Sequence, residues 1–121
     1  MDIRKFDFDF TVCQLAHTGH LDLSREFYFL SRTEEEISLV CKTEDAPADC
    51  LRREDGWRAF RIEGILDFSL IGILSELSSL LAREGIGLFA ISTFNTDYIL
   101  VKKENFPRAI AALAAKGYNI L

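Results

Sequence analysis

No continuous apolar run in this sequence approaches the roughly 20 residues a helix needs to cross a bilayer, and no basic stripe is present. Lysine and arginine stand singly or in pairs such as Arg52-Arg53 and Lys102-Lys103, and the formal charge is −5 over 121 residues. Nothing there could neutralise a run of phosphates, so neither nucleic acid nor a membrane is an expected partner. Cysteine is scarce. Cys13, Cys41 and Cys50 are odd in number and make no C-x-x-C pair, which fits reduced thiols in a reducing compartment, buried as small hydrophobes, rather than a disulfide framework. The opening MDIRKFDFDF alternates charge with phenylalanine and lacks the apolar centre of a signal peptide. A cytoplasmic location is expected.

Chemistry-bearing clusters are few as well. Cys13, His17 and His20 form C-x3-H-x2-H, the right residue types for a metal, but no clear fourth ligand or partner motif accompanies them, and no metal or other cofactor is assigned. A Cys-His nucleophilic pair would need an orienting third group and an oxyanion site. Neither can be identified, so no catalytic residue is assigned and the chain is not expected to be an enzyme.

What is present is a hydrophobic content of 49%, enough to bury a core. The clearest order follows Gly56. WRAFRIEG reads as a strand ending at Gly64. SLIGILSELSSLLAREG then sets Leu70, Ile71, Leu74, Leu77, Leu80 and Leu81 on one helical face, with Gly85 as the stop. GLFAIST and DYILVKK have strand length, NFPRAIAALAAKG is a second amphipathic helix with Asn105 as N-cap and Gly117 past its end, and YNIL closes as a short strand. The order β-α-β-β-α-β predicts an α+β, ferredoxin-like fold, with two helices on one face of an antiparallel sheet.

An offset of 61 positions lays Ser31 on Ser92, Leu39 on Leu100, Val40 on Val101 and Lys42 on Lys103, which makes FYFLSRTEEEISLVCK an earlier copy of the hairpin. The first copy is abbreviated. Between the strand FTVCQLA and Phe27 lie only the ten residues His17 to Glu26, too few for a four-turn helix. Two tandem lobes are therefore expected, residues 1–56 incomplete and residues 57–121 complete.

Two stretches can build a site. In EGILDFSLIG, Asp67 or Ser69 can cap a helix whose free N–H groups attract an anion, and Gly64 and Gly72 permit close approach. In ISTFNTDYILV the turn has no glycine, whereas a tight hairpin would use one. There Ser92 and Thr93 offer hydroxyls, Asp97 can hold an ammonium or guanidinium, and Phe94 can wall a cleft. Alternatively Asn95 and Asp97 only shape the turn while Phe94 packs on a neighbouring lobe.

GWRA, EGILDFSLIGIL and FAISTFNTDYILV resemble the ACT domains of the CASTOR type, and SRTEEEISLVC resembles the abbreviated N-terminal lobe of the same family. The IST before the hairpin is also similar to the regulatory ACT domains of aspartate kinases. The resemblance implies a βαββαβ ACT fold in a regulatory module that binds an amino acid or similar small molecule and forms a homodimer. It also implies ligand contacts from Ser69, Leu70 and Gly72 at the strand-to-helix turn, and from Thr93, Phe94 and Asp97 at the hairpin. Those sensors combine four such lobes in one chain and this sequence carries two, so a comparable pocket needs a dimer. A dimerisation module without a ligand is the alternative.

Overall fold

The computed structural model describes residues 1–63 and 72–121. Residues 64–71, which include Ser69 and Leu70, lie outside the described residues. The chain divides into two compact units, Met1–Asp7 with Arg58–Leu121, and Phe8–Trp57. The opening segment thus belongs with the C-terminal half of the chain. Eight strands are described: β1 (Asp2–Lys5), β2 (Phe10–Leu15), β3 (Tyr28–Arg32), β4 (Ile37–Lys42), β5 (Arg52–Ile62), β6 (Leu88–Ser92), β7 (Asp97–Lys102) and β8 (Asn119–Ile120), with helices α1 (Ile73–Arg83) and α2 (Phe106–Ala115).

In the larger unit the strands lie in the order β6-β7-β5-β1-β8, with β1 antiparallel to β5 and parallel to β8. The expected β-α-β-β-α-β order is present as β5-α1-β6-β7-α2-β8. The short final strand, however, pairs with β1 rather than with β5, because the opening DIRK inserts between them. Ile3 of β1 is fully buried with Phe60, Ile62, Ile99 and Val101 against Leu77 and Leu81 of α1 and Phe106, Ala109 and Leu113 of α2. Leu74 and Leu80 pack at the margin of this core, on the face that the helical period marks out. The other two members of that face, Leu70 and Ile71, lie outside the described residues.

Both helices end in the same way. Past α1 the Ile86 N–H bonds to the Leu81 carbonyl and the Gly85 N–H to that of Ala82; past α2 the Tyr118 N–H bonds to Leu113 and the Gly117 N–H to Ala114. These are paired Schellman motifs, which require a left-handed residue at the glycine position, and Gly85 and Gly117 have φ of +71° and +103°. At the start of α2, Asn105 occupies the N-cap position but makes no side-chain capping bond; a 3-10 turn, Lys103–Asn105, leads into the helix, with Pro107 in its first turn.

The smaller unit orders its strands β3-β4-β2-β5. Where the larger unit has α1, residues 16–27 form only turns, and the segment after β4 supplies one 3-10 turn, Thr43–Asp45. This agrees with the abbreviation read from the ten-residue gap. Strand β5 starts five residues before Trp57. Its pairing with β2 steps from Phe10↔Trp57 to Val12↔Glu54, a β-bulge in which Gly56 takes a φ of +85°. Beside the bulge the buried Thr11 hydroxyl donates to Asp55 Oδ1 at 2.6 Å and shares a 2.9 Å bond with the Thr43 hydroxyl.

The two hairpins are copies at an offset of 60, not 61. Pairs Phe29↔Val40 and Arg32↔Ile37 correspond to Phe89↔Leu100 and Ser92↔Asp97. The Thr33 N–H bonds to the Glu36 carbonyl as the Thr93 N–H does to Thr96. At this register Leu39 and Cys41 match Ile99 and Val101, the residues that face the core of their own unit. A slip of one residue would have sent each to the opposite face.

Candidate functional site

The turn between β6 and β7 needs no glycine because its threonines bond the backbone instead. The Thr93 N–H donates to the Thr96 carbonyl at 2.8 Å, the Thr93 hydroxyl donates to the same oxygen at 3.0 Å, and the Thr96 N–H returns to Thr93 Oγ1 at 3.4 Å. One residue further out on each strand, the Ser92 hydroxyl donates to Asp97 Oδ1 at 2.6 Å. Asp97 therefore closes the hairpin with one oxygen. Phe94 at the tip is 84% exposed.

Thr96, which sequence reasoning did not single out, is 7% exposed, and its hydroxyl donates to the Ile62 carbonyl at 2.7 Å. The hairpin is thereby held to the end of β5, one residue before Glu63. From there the chain leaves the described residues and re-enters at Gly72, which has φ +88° at the N-cap of α1. Of the six residues expected to contact a ligand, Thr93, Phe94 and Asp97 share the hairpin, and Gly72 stands at the helix start. Ser69 and Leu70 lie outside the described residues.

The end of β5 also carries charge that was not legible beforehand. Arg4 and Arg61 are directly opposed across β1 and β5, an arrangement that destabilises a sheet unless it is neutralised. Glu63 neutralises it: one carboxylate oxygen takes the Arg4 Nε–H and the other lies 3.4 Å from Arg61 Nη2. Arg4's hydrogen bond, helped by the Arg61 charge, holds the Glu63 carboxyl below the usual range. Arg61 also donates to the Tyr98 hydroxyl at 2.9 Å, and its guanidinium lies 5.3 Å from the Phe6 ring centroid and 5.7 Å from that of Tyr98. The two rings stack with centroids 6.1 Å apart, and the cation lies beside the pair, within reach of both.

On the helical side of the larger unit, a cavity of about 300 Å³ opens at the first turn of α1, lined by Met1, Ile73, Glu76, Lys116, Gly117 and Tyr118. The Tyr118 hydroxyl donates to Glu76 at 2.8 Å. Two thiols are suppressed as nucleophiles: burial, first of all, pushes Cys13 and Cys41 up to about 12, where almost no thiolate exists at neutral pH.

Known proteins are similar to this chain in sequence and in fold. The chain is 34% identical over 107 residues to the bovine (Bos taurus) cytosolic arginine sensor for mTORC1 subunit 1, covering 83% of this chain and 32% of that protein. It thus spans about a third of the length of the curated relatives it matches. The crystal structure of protein Atu0741 from Agrobacterium tumefaciens is 28% identical, with a TM-score of 0.85 over 99% of this chain and 91% of that one. Aspartate kinase from Clostridium acetobutylicum, at 12% identity, superposes with a TM-score of 0.63 over 93% of this chain and 33% of the enzyme, a likeness of fold. Residues 52–115 match the model of the ACT domain, and with the ferredoxin-like arrangement of β5 to β8 around the two helices, the chain belongs to the ACT domain family.

Proposed function

We propose that this chain is a regulatory module that binds a free amino acid where the β6–β7 hairpin meets the start of α1. Thr93, Phe94 and Asp97 would act from one side, and Ser69, Leu70 and Gly72 from the other. The observation that carries the reading is the buried bond from Thr96 to the Ile62 carbonyl. It anchors the hairpin at the strand end that leads to the helix, while the Phe94 ring stays exposed and Asp97 keeps one carboxylate oxygen beyond the Ser92 bond.

The charges suit a zwitterion. A helix start attracts the carboxylate of the ligand, and the Asp97 carboxylate attracts its ammonium or a side-chain cation. The name of the bovine relative puts arginine first among the ligands to test. Size sets a further condition. Micromolar binding needs about −8 kcal/mol from roughly ten heavy atoms, about 0.8 kcal/mol each, which demands near-complete enclosure. An exposed hairpin tip does not provide that, and a second copy of the chain covering Phe94 would. The working form is therefore a homodimer, acting in the cytoplasm as a binding element without chemistry of its own.

The test is a thermal-shift screen against the twenty amino acids, with light scattering on the same samples. A ligand at about 100 times its Kd stabilises the fold by about 2.7 kcal/mol, several degrees for a domain of this size. Asp97→Ala abolishes the shift and costs the free protein no more than about 1 kcal/mol, the worth of its exposed bond to Ser92. If no amino acid shifts the native protein and it is nevertheless a dimer, the module is structural. A monomer at every concentration removes the enclosure argument.

A further inference from the structure

The smaller unit holds a cluster unrelated to the hairpin. The loop after β2 and the segment before β5 bring together His17, His20 and Asp49. His17 Nε2 lies 3.5 Å and His20 Nδ1 3.4 Å from Asp49 Oδ2, and one ligand atom from each residue lies within 4.8 Å of the others. The two imidazoles meet edge to face, with centroids 5.1 Å apart. With Leu15, Leu21 and Pro47 they line a cavity of about 10 Å³, about the space of one water-sized particle.

These separations are long for charge-assisted hydrogen bonds, which run at about 2.7–2.9 Å. They match the distance between two donors on one tetrahedral ion. With metal–ligand bonds of about 2.0–2.1 Å, the edge of the tetrahedron is about 3.3–3.4 Å. The geometry points to a divalent transition-metal site of the zinc class, with His17, His20 and Asp49 as three ligands and a fourth position for water or a small ligand. Two imidazoles and one carboxylate suit Zn²⁺, Co²⁺ or Ni²⁺ better than Ca²⁺ or Mg²⁺, which take oxygen ligands. Cys13, the residue that completes C-x3-H-x2-H in the sequence, takes no part: it is buried, and its Sγ donates to the Leu39 carbonyl at 3.5 Å. Asp49, 29 positions beyond His20, replaces it.

Loading rearranges one proton. The Gly19 N–H donates to His17 Nδ1 at 3.2 Å, so a neutral His17 carries its proton on Nε2, toward Asp49. Coordination through Nε2 moves that proton to Nδ1 and turns the Gly19 amide to water, which an exposed loop allows. The bound ion then ties the loop after β2 to the segment before β5 and stiffens the unit that lacks a helix.

The experiment titrates the full chain, free of any histidine tag, with Co²⁺ and then displaces it with Zn²⁺. One equivalent of Co²⁺ should develop the strong visible d–d absorption of a four-coordinate ion, lost on adding Zn²⁺, and Zn²⁺ should raise Tm. His20→Ala and Asp49→Asn should each weaken binding by about tenfold or more. All three side chains are at least half exposed, so the variants keep the fold, which circular dichroism verifies. Absence of the band, or an affinity in both variants unchanged from that of the native chain, overturns the site. A sulfur-to-cobalt charge-transfer band that survives His17→Ala and His20→Ala also overturns it, because the metal would then sit on the cysteines.

Discussion

The hydroxyl of Thr96 donates to the carbonyl oxygen of Ile62 at 2.7 Å, in the interior, and this bond ties the hairpin turn to the end of β5. Thr96→Val keeps the shape of the side chain and removes the donor. The buried carbonyl loses a partner, at a cost of about 1–2 kcal/mol, which lowers Tm by several degrees. Thr96→Ser restores the donor and most of the loss. Urea unfolding of the three proteins decides the matter, and unchanged stability in the valine variant would show that the bond contributes nothing net.

Glu63 lies between two opposed guanidiniums, so its contribution depends on pH. Its folded pKa is depressed by Arg4 and Arg61. The stabilisation is therefore complete above the unfolded value, near 4.5, and is lost as pH falls through the lower folded value. Glu63→Gln leaves Arg4 facing Arg61 at every pH. The Tm gap between native protein and variant should be widest near neutrality and shrink as pH drops below about 4.5. A gap independent of pH would refute the electrostatic account.

Gly85 and Gly117 terminate the two helices at positive φ, and a Cβ at either position meets nothing within 4 Å. Replacement by alanine therefore causes no clash and carries only the cost of the left-handed backbone, about 1 kcal/mol each. The sites lie at the ends of different helices, so the double variant should lose about the sum. Chemical denaturation of the single and double variants measures both numbers.

The thiols provide an independent check on burial. Cys13 and Cys41 are buried with pKa pushed up to about 12, and Cys50 is half-buried. Ellman's reagent on the native protein should titrate Cys50 at most, and all three thiols after unfolding in guanidinium. Rapid reaction of Cys13 or Cys41 in the native state would return a nucleophilic role to consideration.

Much of the larger unit could be read directly from the chain. Leu74, Leu77, Leu80 and Leu81 recur at the helical period, and Gly85 and Gly117 stand where a left-handed residue must follow a helix. The runs around Ala90 and Leu100 have strand composition. These are local signals, each expressed within one or two turns or one hairpin. The glycine-free turn was legible as an oddity, and the threonine bonds that replace a glycine are also local, although the place of Thr96 in the interior was not.

The hairpin register was hidden because Leu39-Val40-Cys41 and Ile99-Leu100-Val101 are apolar without alternation. An offset of 61 then satisfies the pattern as well as 60, and only the face each side chain takes in its own core separates them. The opening DIRK gave no sign that it would insert between β5 and β8, since a four-residue strand acquires its meaning from its neighbours. For the same reason Arg4, Arg61 and Glu63, and likewise His17, His20 and Asp49, became clusters only in three dimensions.

The sequence by itself determined the periodicities, the glycine stops of the two helices, the shortened first copy and the family to which they belong, because backbone propensity and side-chain spacing act over a few residues. Tertiary structure decided strand order, register, the placing of Thr96 against Ile62 and the meeting of charges far apart in the chain. Those depend on which distant hydrogen-bonding edges pair and which faces share a core, and that free energy is gained only when the segments have come together.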